Sequence, residues 1–195
     1  MPSLVGSEMC IRDRINKGEQ IALTNKSRDF FFLERNSVPV IYKHMVQLIG
    51  EMLPKYVKAS PFDIQVLTPM RKGSLGVETL NGVLQSCLNP PSEGKKEVQL
   101  GDTLFREGDK VMQIKNCDEI SNGDIGYITK ICKAGDETTV TIDFGDGRIA
   151  EYDTSQLDML DLGYASTIHK SQGSEYRSCL LYTSDAADDL IGEDL

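Results

Sequence analysis

"DIQVLTPMRKGSLG", residues 63 to 76, is an apolar run that stops at a proline and opens into a loop carrying Arg71, Lys72 and two glycines. Its apolar part has the length of a buried strand. Pro69 cannot donate to a ladder and pushes Thr68 away from helix, so the strand ends there. Beyond the loop, Val77, Leu80, Val83, Leu84, Cys87 and Leu88 recur at helical spacing. The same grammar stands upstream. "RDFFFL", residues 28 to 33, reads as a short strand; Ser37 and Pro39 start a helix, and Ile41, Met45, Leu48, Ile49, Met52 and Leu53 carry its apolar face until Pro54. Strand, helix, strand, helix predicts a parallel α/β sheet.

"NPPSEGKKE", residues 89 to 97, breaks that pattern with adjacent prolines and polar residues. Short segments divided by Gly-Asp turns follow. Val140, Ile142 and Phe144 alternate with Thr139, Thr141 and Asp143, and "FGDGR" is a hairpin signal. A small antiparallel barrel inserted in the α/β domain is expected over about residues 98 to 157, with the chain returning to the sheet from Asp158.

The ends have a different character. "CLLYTSDAAD", residues 179 to 188, resembles a translated transposase-type sequencing adapter, and "LVGSEMCIRD", residues 4 to 13, resembles its companion. Residues 1–14 and 179–195 are accordingly expected to be adapter-derived tails with no selected packing. Seven of the 30 acids and two of the 21 bases lie outside residues 15 to 178, which leaves that stretch at −4 instead of −9. Neither value supports a general electrostatic grip on nucleic acid, although a local basic groove stays open. Five cysteines without a C-x-x-C pair indicate neither a zinc site nor a disulfide scaffold, so no metal is expected and a reducing cytoplasmic setting is. No apolar run approaches the roughly 20 residues of a membrane span, and no membrane partner is expected.

Two polar constellations remain. Arg71 and Lys72 follow a buried strand, in the crevice where open α/β sheets bind ligands, and an arginine there can meet phosphate oxygens in a bidentate fork. By spacing alone the pair reads more readily as charges that merely solvate a loop. "YASTIHKSQGSEY", residues 164 to 176, places Thr167, His169, Lys170, Gln172 and Glu175 around Gly173 after a short apolar run. Thr167 and His169 can hydrogen-bond phosphate, Lys170 adds charge, and Gln172 and Glu175 suit hydroxyl or amide recognition. A structural histidine is the plain alternative for His169. The sequence has no G-x-x-x-x-G-K-[ST] loop to cradle a nucleotide.

With "INKGE", "NKSRDFFFL", "IQVLTPMRKGSLG", "GDKVMQIKN" and "NGDIG" in that order, "YASTIHKSQGSEY" resembles motif V of superfamily 1 helicases, and the series resembles the RecD-like ATP-dependent DNA helicases. The resemblance covers nearly all of residues 15 to 178. It implies a partial RecA-like parallel-sheet domain, of the P-loop NTPase type, carrying an SH3-like β-barrel. Residues 15–97 and 158–178 would form the second motor domain and 98–157 the inserted barrel, the first motor domain of the same protein being a missing partner. Single-stranded DNA would be the substrate, with ATP and Mg bound jointly with that first domain and a 5'-to-3' polarity. By the same likeness Arg71 and Gln172 are catalytic, and Arg71, Lys72, Gly173 and Glu175 face the nucleotide. Thr167, His169 and Lys170 then touch DNA. The chain alone is expected to be inactive as an ATPase. A non-catalytic SH3-like module for peptide or nucleic acid is the alternative from another class.

Overall fold

The structure, a computed structural model, describes residues 17–20, 31–35, 37–117, 119–135 and 137–182. Two units divide at Asn36 and Ser37. In the first, Gly18 turns with φ of +73°. Phe31, Phe32 and Leu33 are exposed and lie outside regular structure, contrary to the strand expected of "RDFFFL", whose first three residues lie outside the described set. Three apolar residues in a row make a strand only where a sheet edge receives them, and none of the three sheets takes these.

The second unit opens with helix α1, Val38–Gln47, whose Pro39 sits in the first turn where a missing N–H costs nothing. The helix was expected to stop at Pro54, and it does not. Leu48–Met52 widens into a π-turn and Leu53–Val57 continues as α2, with Pro54 again in a first turn. The i→i+5 pattern, in which the Leu53 N–H reaches the Leu48 carbonyl, removes the need for the bond that proline cannot give.

Strand β1, Ile64–Thr68, is buried along nearly its whole length, as a strand covered on both faces must be. Helix α3, Val77–Leu88, follows it and buries Leu80, Asn81, Leu84 and Gln85. The antiparallel part then runs through β2 (Glu97–Leu100), β3 (Thr103–Arg106), β4 (Lys110–Gln113), β5 (Ile125–Ala134), β6 (Glu137–Asp143), β7 (Ile149–Asp153) and β8 (Leu160–Leu162). Finally β9, Ala165–Thr167, and β10, Ser178–Leu181, flank β1 in a three-stranded sheet of order β10-β1-β9, both pairings parallel. The fold is thus mixed α/β with a parallel sheet, as the sequence predicts.

The antiparallel strands form two sheets, β2-β3 and β7-β6-β5-β4-β8, and no closed barrel is found among the described residues. Alternation tells which face of a strand is buried but not whether the two ends of a sheet meet. β8 still pairs with β4, Val111 opposite Leu162, so the return to the parallel sheet is made at Ala165. The hairpin read from "FGDGR" is present: β6 pairs with β7, and Gly145, Asp146 and Gly147 all take positive φ. Cys179–Leu181, expected to be tail, pair with Gln65–Leu67.

A buried carboxylate joins these parts. Asp109, fully buried, accepts from Tyr164 Oη (2.9 Å) and Asn89 Nδ2 (2.7 Å) on one oxygen, and from Gln85 Nε2 (2.6 Å) and the Arg106 N–H (2.6 Å) on the other. The β3–β4 turn, helix α3 and the entry to β9 are thereby tied to one group. The next residue, Lys110, is also buried, and its Nζ donates to the Phe62 carbonyl at 2.7 Å.

Burial pushes the Lys110 ammonium down from 10.5 to about 8, against a smaller upward pull from Asp63. A depressed lysine favours the neutral amine in the fold. Its contribution to stability is therefore complete above the unfolded value and is lost as pH falls through about 8. Lys110→Met is expected to stabilise the protein at pH 7 and to flatten the rise in stability between pH 8 and 10. The shift corresponds to about 3 kcal/mol at most. Urea midpoints of the two proteins across that range check this, and parallel profiles would refute it.

Candidate functional site

β1 and β9 run side by side in parallel, with Thr68 opposite Thr167, so the loops leaving their C-terminal ends emerge at one edge of the sheet. That edge is where open parallel sheets bind ligands. The β1 loop carries Arg71 and Lys72; the β9 loop is the run from Ile168 to Arg177. A cleft there is lined by Arg71 and Val77, by Ala165, Ser166, Thr167 and Lys170, and by Met112, Asp161 and Leu162.

The Arg71 loop is built by its glycines. Gly73 takes φ of +98°, and at Gly76 a Cβ would lie 2.5 Å from the Lys72 carbonyl carbon, so only glycine lets the chain fold back over itself. The first amides of α3 are turned inward by this fold: Val77 N–H donates to the Met70 carbonyl (3.1 Å) and Glu78 N–H to the Arg71 carbonyl (3.3 Å). An anion at this edge is therefore met by side chains. Arg71 holds Glu78 only loosely, at 3.5 Å, with both side chains more than half exposed. An exposed pair of this kind is worth less than about 1 kcal/mol, so Arg71 leaves it readily for a phosphate. Lys72 is exposed and is not among the residues lining the cleft.

After β9 the chain winds through successive turns. Thr167 Oγ1 accepts the Lys170 N–H at 3.3 Å, which leaves the hydroxyl proton free to be donated outward. Ser171 N–H donates to the Thr167 carbonyl and Gln172 N–H to that of His169, and Gly173 turns with φ of +86°. Lys170 Nζ stands 3.4 Å from Asp161, each side chain about one-third exposed. His169, Gln172, Gly173 and Glu175 are all exposed. Of the residues singled out from sequence, Arg71, Thr167 and Lys170 thus line one cleft, while His169, Gln172, Gly173 and Glu175 sit on the exposed run beside it.

Several participants carried no sequence signal. Asp161 and Met112 belong to the antiparallel sheet and reach the cleft only through β8 and β4. Ser166, almost fully buried, has a hydroxyl without a hydrogen-bond partner. Asn81 binds the backbone around the start of β9, and Gln65 reaches the Gly163 and Tyr164 carbonyls at 3.3 and 3.4 Å. Among the described residues no three His, Cys, Asp or Glu side chains gather as metal donors. No helix among them is long and apolar enough to cross a membrane.

Residues 80–144 match the family model of the ATP-dependent RecD-like DNA helicase SH3 domain. Over 122 residues the chain is 43% identical to the ATP-dependent RecD2 DNA helicase of Deinococcus radiodurans, a match that takes in 62% of this chain and spans 16% of that protein. Among solved structures, a chain from work on DNA unwinding at forked duplex DNA by two coordinating Pif1 helicases is similar at 17% identity and a TM-score of 0.41, over 80% of this chain and 41% of that one. Bacteroides Pif1 bound to ssDNA is similar at 16% identity and a TM-score of 0.39, over 80% and 43%. Residues 80–144 thus resemble a RecD-like helicase SH3 domain, and over the 122 residues of its match the chain is similar to RecD2.

Proposed function

We propose that this chain works within the second motor domain of an ATP-dependent DNA helicase that travels along single-stranded DNA, with the 5'-to-3' polarity its family resemblance implies. One observation carries the reading: a parallel sheet delivers Arg71, Thr167 and Lys170 to the same cleft at its ligand-binding edge. A motor needs a nucleotide contact and a strand contact on one rigid platform, and the two loops supply them.

In this reading Arg71 reaches the terminal phosphate of ATP and stabilises the charge that grows there, with Lys72 adding positive potential. Thr167 donates its free hydroxyl proton to a DNA phosphate, with His169 and Lys170 beside it. Gln172 and Gly173 stand between the two ligands, and Glu175 faces the ribose. The chemistry of the cleft fits phosphate on both sides: Arg71 in a loose ion pair on one, and Lys170 in a loose ion pair with a hydroxyl that has a proton to give on the other. A phosphate cradle and Mg-binding acids would come from a first motor domain of the same protein, which also closes over the nucleotide. The SH3 domain lies against the strand path as a guide.

Lys170→Ala tests the strand contact. Removing one phosphate-facing cation is expected to weaken single-strand binding and to make the dependence of log affinity on log salt shallower by about one. Fluorescence titrations of an oligothymidylate at several salt concentrations measure both quantities. An unchanged slope would reject the placement of DNA at this loop.

A further inference from the structure

Within two of its turns helix α3 touches the Arg71 loop and the strand that launches the other loop. At its start, Thr79 Oγ1 donates to the Gly73 carbonyl at 2.9 Å, beside the Glu78 N–H bond to Arg71. Two residues further in, Asn81 grips the strand that launches the other loop. Its Oδ1 accepts the Ala165 N–H at 2.7 Å, and its Nδ2 donates to the Leu162 carbonyl at 2.8 Å and the Ala165 carbonyl at 3.3 Å.

These bonds are specific. Asn81 is buried, and both ends of its amide are spent on backbone, donor to acceptor and acceptor to donor. No apolar residue of that shape satisfies the Ala165 N–H and the Leu162 carbonyl together, and a buried backbone group left unpaired costs about as much as a lost hydrogen bond. The segment they hold, Leu162 to Ala165, is fixed from two further sides by Gln65 and, through Tyr164, by Asp109. The loop beyond it, from Ile168 to Arg177, is mostly exposed. The anchored base of that loop is thus in direct hydrogen-bond contact with α3.

We infer that Asn81 and Thr79 are positioning residues which make helix α3 the link between the Thr167–Lys170 loop and the Arg71 loop. A strand bound at the first loop shifts β9, Asn81 carries the shift to α3, and Thr79 with the Glu78 amide carries it to the Arg71–Gly73 backbone. The inference rests on the reading of the site given above. It differs from that reading in assigning the communication to two residues, Asn81 and Thr79, that are not among those lining the cleft.

Hydrogen exchange on this chain, with a short oligothymidylate at low salt as the probe, tests it. In the wild type the probe is expected to slow exchange at residues 167 to 177 and, about threefold or more, at residues 71 to 76. Asn81→Asp keeps the acceptor for Ala165 and loses the donors; Thr79→Val removes the exposed hydroxyl that holds Gly73 and leaves the fold intact. Each is expected to keep the protection at 167 to 177 and to lose most of that at 71 to 76. Should Asn81→Asp unfold the chain, Thr79→Val alone decides the matter. Remote protection that survives in the folded variants, or is absent in the wild type while the strand loop is protected, overturns the inference alone. No protection at 167 to 177 in the wild type overturns the reading of the site, and this inference with it.

Discussion

Arg71→Ala, made in the full-length protein, is expected under the proposed function to lower DNA-stimulated ATP turnover about a hundredfold while leaving single-strand affinity within about threefold of wild type. A preorganised donor aimed at developing charge contributes about 3 to 4 kcal/mol in other enzymes, which is a factor of about 10² to 10³ in rate. The geometry fixes the sign of both effects. Arg71 stands on the loop after β1, folded back through Gly76 so that its backbone caps α3, and among the described residues its side chain makes a loose ion pair with Glu78. Truncation therefore removes a cation without disturbing the core. Steady-state turnover and binding titrations on one preparation separate the outcomes. A loss confined to DNA binding would place Arg71 on the strand and return the nucleotide contact to another residue. Arg71→Lys is expected to recover only part of the rate, because an ammonium cannot offer the two parallel N–H groups of a guanidinium.

Asp109→Ala is expected to destabilise the fold by about 3 kcal/mol, a large share of the roughly 5 to 15 kcal/mol that holds a domain together. Two effects compete. Burial pushes the Asp109 carboxyl above its ordinary value, so the ionised group carries a desolvation cost that its removal would relieve. Against this stand the donors left behind. Gln85 and Asn89 keep second acceptors in the Leu104 and Glu107 carbonyls, whereas the Tyr164 hydroxyl and the Arg106 N–H are aimed at Asp109 itself. Orphaning two buried donors at about 1 to 3 kcal/mol each outweighs the relief. Because the folded value is raised, this carboxyl contributes most below the unfolded carboxylate range and less as pH climbs through its folded value. The variant should therefore show its smallest penalty at the higher pH. Urea unfolding at pH 5 and pH 7 gives both numbers, and a loss below about 1 kcal/mol would mean that the Tyr164 and Arg106 donors find other partners.

The placement of Asp109 shows where sequence reading stopped. "GDKVMQIKN" was useful as part of an ordered series of motifs, yet nothing in those letters says that Asp109 is buried or that it meets Tyr164, 55 residues away. Asn81 is a similar case, because a polar residue within an amphipathic helix looks the same whether it faces water or a strand. Pro54 misled in the opposite direction. Its effect on an α-helix is local and well defined, but the π-turn just before it, Leu48–Met52, accommodates it, and the choice of that turn belongs to the packing around Ile49.

By itself the sequence determined the buried β1 strand ended by Pro69, the helical face of α3 that follows it, the "FGDGR" hairpin and the two loops rich in polar groups. All of these follow from periodicity and backbone restriction within a dozen residues, where chain neighbours dictate the outcome. The tertiary structure alone decided that the two loops share an edge, that β8 and β4 close the side of their cleft, that the antiparallel strands form two open sheets, and that one carboxylate ties the SH3 region to the parallel sheet. Those facts depend on which distant surfaces meet, and burial free energy selects among pairings without leaving a mark on any single stretch of chain.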